Sequence, residues 1–115
     1  VVYWLSRIIY AESGNQPLDG KIAVGNVVLN RVASPRFPNS VYEVIFQRNQ
    51  FTPAANGSIN RTPSAESVVA AKLCLDGANT AGSALYFVNP TVAPGSWASR
   101  NRPYVATIGA HAFYG

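Results

Sequence analysis

Hydroxyls and amines aside, five carboxylates, one histidine and one cysteine are the acids, bases and nucleophiles of this 115-residue chain. Four of the carboxylates have local explanations. Asp19 and Glu66 fall in the first turns of helical segments, where an acid meets the positive end of the helix dipole. Asp76 precedes the helix stop Gly77, and Glu43 lies on the outer side of a short helix between Tyr42 and Val44. Glu12 has no such explanation. Apolar residues recur at positions 1, 4, 5, 8 and 9, the spacing of one helix face, and the next position on that face is 12. The stop Ser13-Gly14-Asn15 follows at once. Burial would hold the Glu12 carboxyl towards its protonated form, and the negative end of the helix dipole acts in the same direction. A proton kept near neutral pH on a group facing a cleft is what general acid catalysis needs. The spacing leaves a second placement open, in which the helix end frays and Glu12 turns into water.

Other chemistries lack their parts. One His, one Cys and no close acid cluster make no zinc ligand set. There is no calcium loop and no Gly-rich phosphate loop. His111 has no G-x-S-x-G elbow to supply a serine nucleophile. No metal or cofactor is therefore expected. Cys74 stands at helical spacing with Val68, Ala71 and Leu75 and reads as a small buried apolar residue. His111 reads as a structural hydrogen-bonder. A two-carboxylate glycosidase needs a second acid about 5–9.5 Å from the first, and no residue nominates itself. One acid suffices where the substrate brings its own nucleophile. Phe51, Tyr86, Phe87, Trp97, Tyr104, Phe113 and Tyr114 lie outside the long helices. Aromatic faces beside amides such as Gln50 and Asn89 suit a cleft for a pyranose ring. Phe87 and Phe113 are expected to cover a sheet instead, and Trp97, in a polar loop, to meet ligand.

These residues need a scaffold. Hydrophobic residues make up 48% of the chain, enough for one core, and a single domain over residues 1–115 is expected. No apolar run approaches the roughly 20 residues of a membrane span. No signal segment is visible in a chain that begins inside an amphipathic helix without Met. The net charge of +4 comes from scattered arginines, not from a basic run that would track a nucleic acid. A diffuse positive surface suits a polyanionic matrix such as a bacterial cell wall, and equally suits ordinary solubility.

The pattern predicts a first helix ending near Glu12 and a second over Leu18–Ser34. The second is apolar over most of its surface, with a thin polar edge of Lys21, Asn26, Asn30 and Arg31, so it should be central. Gly25 marks a close neighbour there, and Asn26 and Asn30, four apart on one face, either fasten a loop or hydrogen-bond to something in a cleft. A short helix over Ser40–Gln47, capped by Asn39 or Ser40, precedes a surface loop over Ala54–Arg61. Thr62-Pro63 opens a third long helix that runs to Asp76. Strand-like pieces follow at Leu85–Val88, Val105–Ile108 and His111–Tyr114, with a loop at Thr91–Arg102. The layout is α+β, mainly helical over the first two-thirds, with a small antiparallel sheet near the C-terminus.

The segments I-I-Y-A-E (8–12), G-K-I-A-V-G-N-V-V-L-N-R-V (20–32), F-P-N-S-V (37–41), V-I-F-Q-R-N-Q-F-T (44–52), A-L-Y-F-V-N-P (84–90) and T-I-G-A-H-A-F-Y (107–114) resemble, in order and spacing, the SleB/CwlJ family of spore cortex-lytic and related cell-wall hydrolases. The resemblance covers nearly the whole chain. It implies a fold distantly like lysozyme and the soluble lytic transglycosylases. It also implies a partner in the glycan strands of peptidoglycan and an extracytoplasmic location in wall or cortex. The family's catalytic glutamate lies in Y-A-E and lands on Glu12. Gln50 and Phe51 match its cleft-lining Q-F. Tyr86 and Asn89 match its Y-F-x-N-P strand, and Trp97 joins them as a contact. The resemblance implies Ala after the glutamate, where this chain has Ser13. A lytic transglycosylase reading needs only Glu12. A water-using muramidase would recruit Glu43 or Asp19, and a non-catalytic wall-binding module would need none of them. A monomer is expected.

Overall fold

A computed structural model describes residues 1–115. Its centre is α2 (Leu18–Ala33), buried at every position from Gly20 to Val28. A helix sealed this completely needs neighbours on several sides. They are α1 (Val2–Ser13), α3 (Val41–Ile45) and α5 (Ala65–Leu75), with the sheet against its remaining face. At Gly25 an added Cβ would stand 2.6 Å from Cys74 Sγ and 3.0 Å from Ile9 Cδ1, so α1 and α5 both close on α2 there. This is the close approach that the glycine marks in the sequence.

The polar edge of α2 does not face water. Lys21, Asn26 and Arg31 are buried. Asn26 Nδ2 donates to the Ala78 carbonyl at 2.8 Å, and its Oδ1 accepts from Thr80 N at 2.9 Å. Asn30 Nδ2 donates to the carbonyls of Gly82 and Ala84 at 3.0 and 2.9 Å. The two amides thus fasten the connection from α5 to the sheet, the first of the two roles their spacing left open. Lys21 Nζ donates to the Gln16 carbonyl and, at 2.8 Å, to Glu66 Oε1. Each buried donor would cost about 1–3 kcal/mol if left without its acceptor.

The sheet is antiparallel throughout, in the order β1 (Tyr86–Val88), β3 (His111–Tyr114), β2 (Tyr104–Ile108). Phe87 pairs with Phe113, and β2 meets β3 through a bulge between Tyr104 and Ala106. Phe113 is fully buried and Phe87 packs against the same core, the covering role expected of both.

Two segments expected as loops contain short helices. Overlapping the expected loop at 54–61, the chain forms α4 (Thr52–Asn56) and a 3-10 turn over Ser58–Asn60, anchored by buried Pro53 and Ile59. Within 91–102 it forms α6 (Trp97–Asn101), whose cap Ser96 accepts from Ser99 N. A helix of about one turn has no room for an apolar period, so spacing does not reveal it. The cap of α5 is Ser64, not Thr62-Pro63; its hydroxyl accepts from Ser67 N. No helix is long and apolar enough to cross a membrane.

Candidate active site

The first helix does not fray at Glu12. Ser13 Oγ donates to the Ile9 carbonyl at 2.7 Å and Gly14 N to the Tyr10 carbonyl at 2.9 Å, which carries the helix one residue further. The buried stripe begins at Leu5 and runs through Ile8, Ile9 and Ser13, while Val1, its expected start, is 70% exposed. Glu12 lies on the border of that stripe, half-buried, and opens onto a groove of about 430 Å³ lined by Tyr10, Ala11, Gly14, Asn15 and Arg61. Burial pushes its carboxyl up to about 7. Glu12 makes no salt bridge, although Arg61 lines the same groove; the one salt bridge of the protein joins Lys21 to Glu66. No second acid lines the groove.

Two contacts shape the groove's surroundings. Arg7 Nη1 donates to the carbonyls of Asn60 and Arg61 at 2.8 and 3.1 Å, pinning the 3-10 turn to α1. Gln16 Oε1 accepts from Ala110 N at 2.8 Å, which seats the β2–β3 hairpin on the turn after α1. Gly109 at that tip has φ +58°, and any Cβ there would run into Gln16.

A second cluster forms around Arg31, which is 5% exposed. Its Nε donates to the Leu85 carbonyl at 2.8 Å and its Nη1 to Gln50 Oε1 at 3.0 Å. Its guanidinium lies 4.7, 5.2 and 5.3 Å from the ring centres of Phe37, Phe51 and Tyr86. Burial lowers its pKa to about 10. Trp97, 56% exposed, meets Tyr86 edge-on at 5.5 Å. Gln50, Tyr86 and Trp97 are therefore gathered together, Gln50 at the surface in a groove of about 280 Å³.

Phe51 departs from its expected place as an open cleft wall. It is 5% exposed and belongs to the core, so it supports the cluster from beneath. Asn89 uses its Oδ1 to fold the next turn, accepting from Thr91 N at 3.0 Å and Val92 N at 3.3 Å. None of these hydrogen bonds or ring contacts includes Glu12. Arg31 was missed in the sequence; the available signal was a cation on a helix with no solvent face to give it.

His111 is not the hydrogen-bonder expected. Its ring packs against Phe87 at 5.2 Å, and its buried Nδ1 has no partner. Cys74 is buried as expected, with Sγ donating to the Ile22 carbonyl at 3.3 Å. Burial pushes its thiol up to about 11, which leaves no thiolate for nucleophilic work.

Residues 15–114 match the sequence model of the family described as Cell Wall Hydrolase. The chain is similar to the spore cortex-lytic enzyme of Bacillus cereus, 39% identical over 109 residues, which are 95% of this chain and 42% of that protein. It is 38% identical to the spore cortex-lytic enzyme of Bacillus subtilis (strain 168), over 95% of this chain and 35% of that protein. It thus spans about two-fifths of the length of these relatives. In three dimensions it is similar to the catalytic domain of the germination-specific lytic transglycosylase SleB from Bacillus anthracis. There the TM-score is 0.91 at 38% identity, over 99% of this chain and 93% of that one. The catalytic domain of the Bacillus cereus SleB protein matches with a TM-score of 0.90, also at 38% identity, over 99% and 88%.

Proposed function

This chain belongs to the cell wall hydrolase family, and from that premise we propose that it cleaves peptidoglycan glycan strands as a lytic transglycosylase, with Glu12 as its single acid and base. Protonated Glu12 gives its proton to the glycosidic oxygen between N-acetylmuramic acid and N-acetylglucosamine, and the bond from muramoyl C1 to that oxygen breaks. The resulting carboxylate takes the proton of the muramoyl C6 hydroxyl as its oxygen closes onto C1. The product is a 1,6-anhydro sugar, no water is consumed, and Glu12 ends as it began.

One observation carries this reading: a carboxyl held at about 7 in a groove with no second acid. A group with a pKa near the working pH serves both as donor and as acceptor. Glu43 hydrogen-bonds with its cap residue Ser40 at 2.9 Å, and neither it nor Asp19 lines the Glu12 groove, which weighs against the two-acid hydrolase. Gln50, Tyr86, Trp97 and Asn89 are assigned to hold the glycan, with Phe51 beneath them. The substrate is assigned to spore cortex or wall, outside the cytoplasm, in keeping with the names of the relatives.

Mass analysis of the products from purified murein tests the reading. Anhydro ends, lighter by one water than hydrolysed ends, should appear with the wild type and be absent with Glu12→Gln. Reducing ends would convert the assignment to a muramidase. Sedimentation with murein and no release of fragments would leave only a binding module.

A further inference from the structure

Arg31 is a cation 5% exposed with no carboxylate partner, and its Nη1 is spent on the side-chain oxygen of Gln50 at 3.0 Å. A guanidinium only donates. The amide of Gln50 therefore has one possible orientation, with Oε1 against Arg31 and the NH₂ group turned away. That NH₂ group meets no acceptor in the protein, and Gln50 lines an open groove beside the Arg31 aromatic cluster. Arg31 itself is held on three sides, by Leu85 O and by the rings of Phe37 and Phe51. It has no freedom to turn and release the amide.

We propose that Arg31 is a positioning residue that turns Gln50 into an obligate hydrogen-bond donor, and that this donor reads the acyl carbonyl oxygen of an N-acetylated sugar. The hydroxyls of a glycan strand both donate and accept, whereas its ether and amide oxygens only accept; of these the amide carbonyl is the strongest acceptor, the complement of a group that only donates. The inference rests on the glycan-cleaving reading above and names a substrate group for it. Glu12 shares no hydrogen bond with this pair, so the pair governs binding and the chemical step stays with Glu12.

Binding is measured in a Glu12→Gln background, by co-sedimentation with purified glycan strands, either N-acetylated or chemically de-N-acetylated. Cleavage is measured separately in the wild-type background. Gln50→Leu removes the donor from an exposed side chain. It should weaken binding to acetylated strands about three- to tenfold, the worth of one hydrogen bond, and raise KM with kcat held. Gln50→Glu keeps a partner for Arg31 and presents an acceptor to an acceptor, so its loss should be larger. Arg31→Lys keeps the charge but not the planar fork. It should cost as much as Gln50→Leu, and the double variant should lose no more than either single one. On de-N-acetylated strands Gln50→Leu and Arg31→Lys should bind like the parent, whereas Gln50→Glu should gain from the free ammonium groups.

Losses that multiply in the Arg31→Lys, Gln50→Leu double variant would show that Arg31 does not act through Gln50. Equal losses on both kinds of strand would show that the acyl oxygen is not what is read. Unchanged binding by Gln50→Leu would end the proposal outright. A wild type that binds but releases no fragments would instead defeat the catalytic reading, and the binding series would still decide this one.

Discussion

Ser13 Oγ donates a 2.7 Å hydrogen bond to the carbonyl of Ile9, and both residues are fully buried. The bond closes the last turn of α1, and the burial of both residues holds that turn against the core just past Glu12. Glu12 therefore cannot relieve its desolvation by unwinding the helix end into water. Its raised pKa of about 7 is a property of the packed state.

Glu12→Gln should lower activity on murein by about 10²–10⁴-fold, the usual worth of a general acid–base group. Its stability should move the other way. The folded carboxyl keeps its proton to about 7, against an ordinary 4.5. Between those values the folded state binds more protons than the unfolded one, so wild-type stability falls as pH rises through that window and then levels off. The variant lacks this loss. Thermal melts should give similar midpoints at pH 4 and a higher midpoint for Glu12→Gln at pH 8.

The same ionisation should appear in catalysis. First-step proton donation needs Glu12 protonated, so kcat/KM should fall on the alkaline side with a midpoint near 7. A rate profile on soluble glycan strands checks this. A flat profile from pH 6 to 9 would remove Glu12 as the acid.

His111 should act on stability with the opposite sign. Burial lowers its pKa, and its Nδ1 has no partner in the fold. The unfolded chain protonates near 6.5 while the folded one does not, so stability is lost as pH falls below 6.5. His111→Phe retains a ring against Phe87 and Phe113 and removes the titrating group. Urea titrations at pH 5 and pH 8 should show the variant gaining on the wild type only at the lower pH.

Gly25→Ala should destabilise by about 1–3 kcal/mol, because its methyl would stand 2.6 Å from Cys74 Sγ in a packed core. Cys74→Ala removes that sulfur and should recover part of the loss. Denaturant midpoints for the two single variants and the double variant check the coupling, and strict additivity would contradict the contact.

Lys21→Met should also cost about 1–3 kcal/mol, by stripping the Gln16 carbonyl and Glu66 of their shared donor. Gln16 seats the β2–β3 hairpin. Amide exchange at Ala110 should quicken in this variant more than exchange in the middle of α2.

Local pattern was enough for the long helices, the α+β order and the strand at His111–Tyr114, because each rests on spacing that the chain carries within itself. It was also enough to set Glu12 apart, since a carboxylate on an apolar stripe is visible from neighbours one and two turns away. The one-turn helices α4 and α6 were not legible, because too few residues share a face. Nor was the burial of Phe51, which depends on the distant Phe87 and Arg31.

By itself the sequence determined which carboxylate stood apart from the local rules, which helix had to be central, and that Asn26 and Asn30 share a face. Only the tertiary structure decided that the polar edge of α2 is an interior surface. It alone set Arg31 against Gln50 across 19 residues of chain and left the His111 Nδ1 without a partner. The reason is physical. Periodicity reports which face of an element is apolar, whereas the state of a buried charge depends on desolvation and partners brought from elsewhere in the chain.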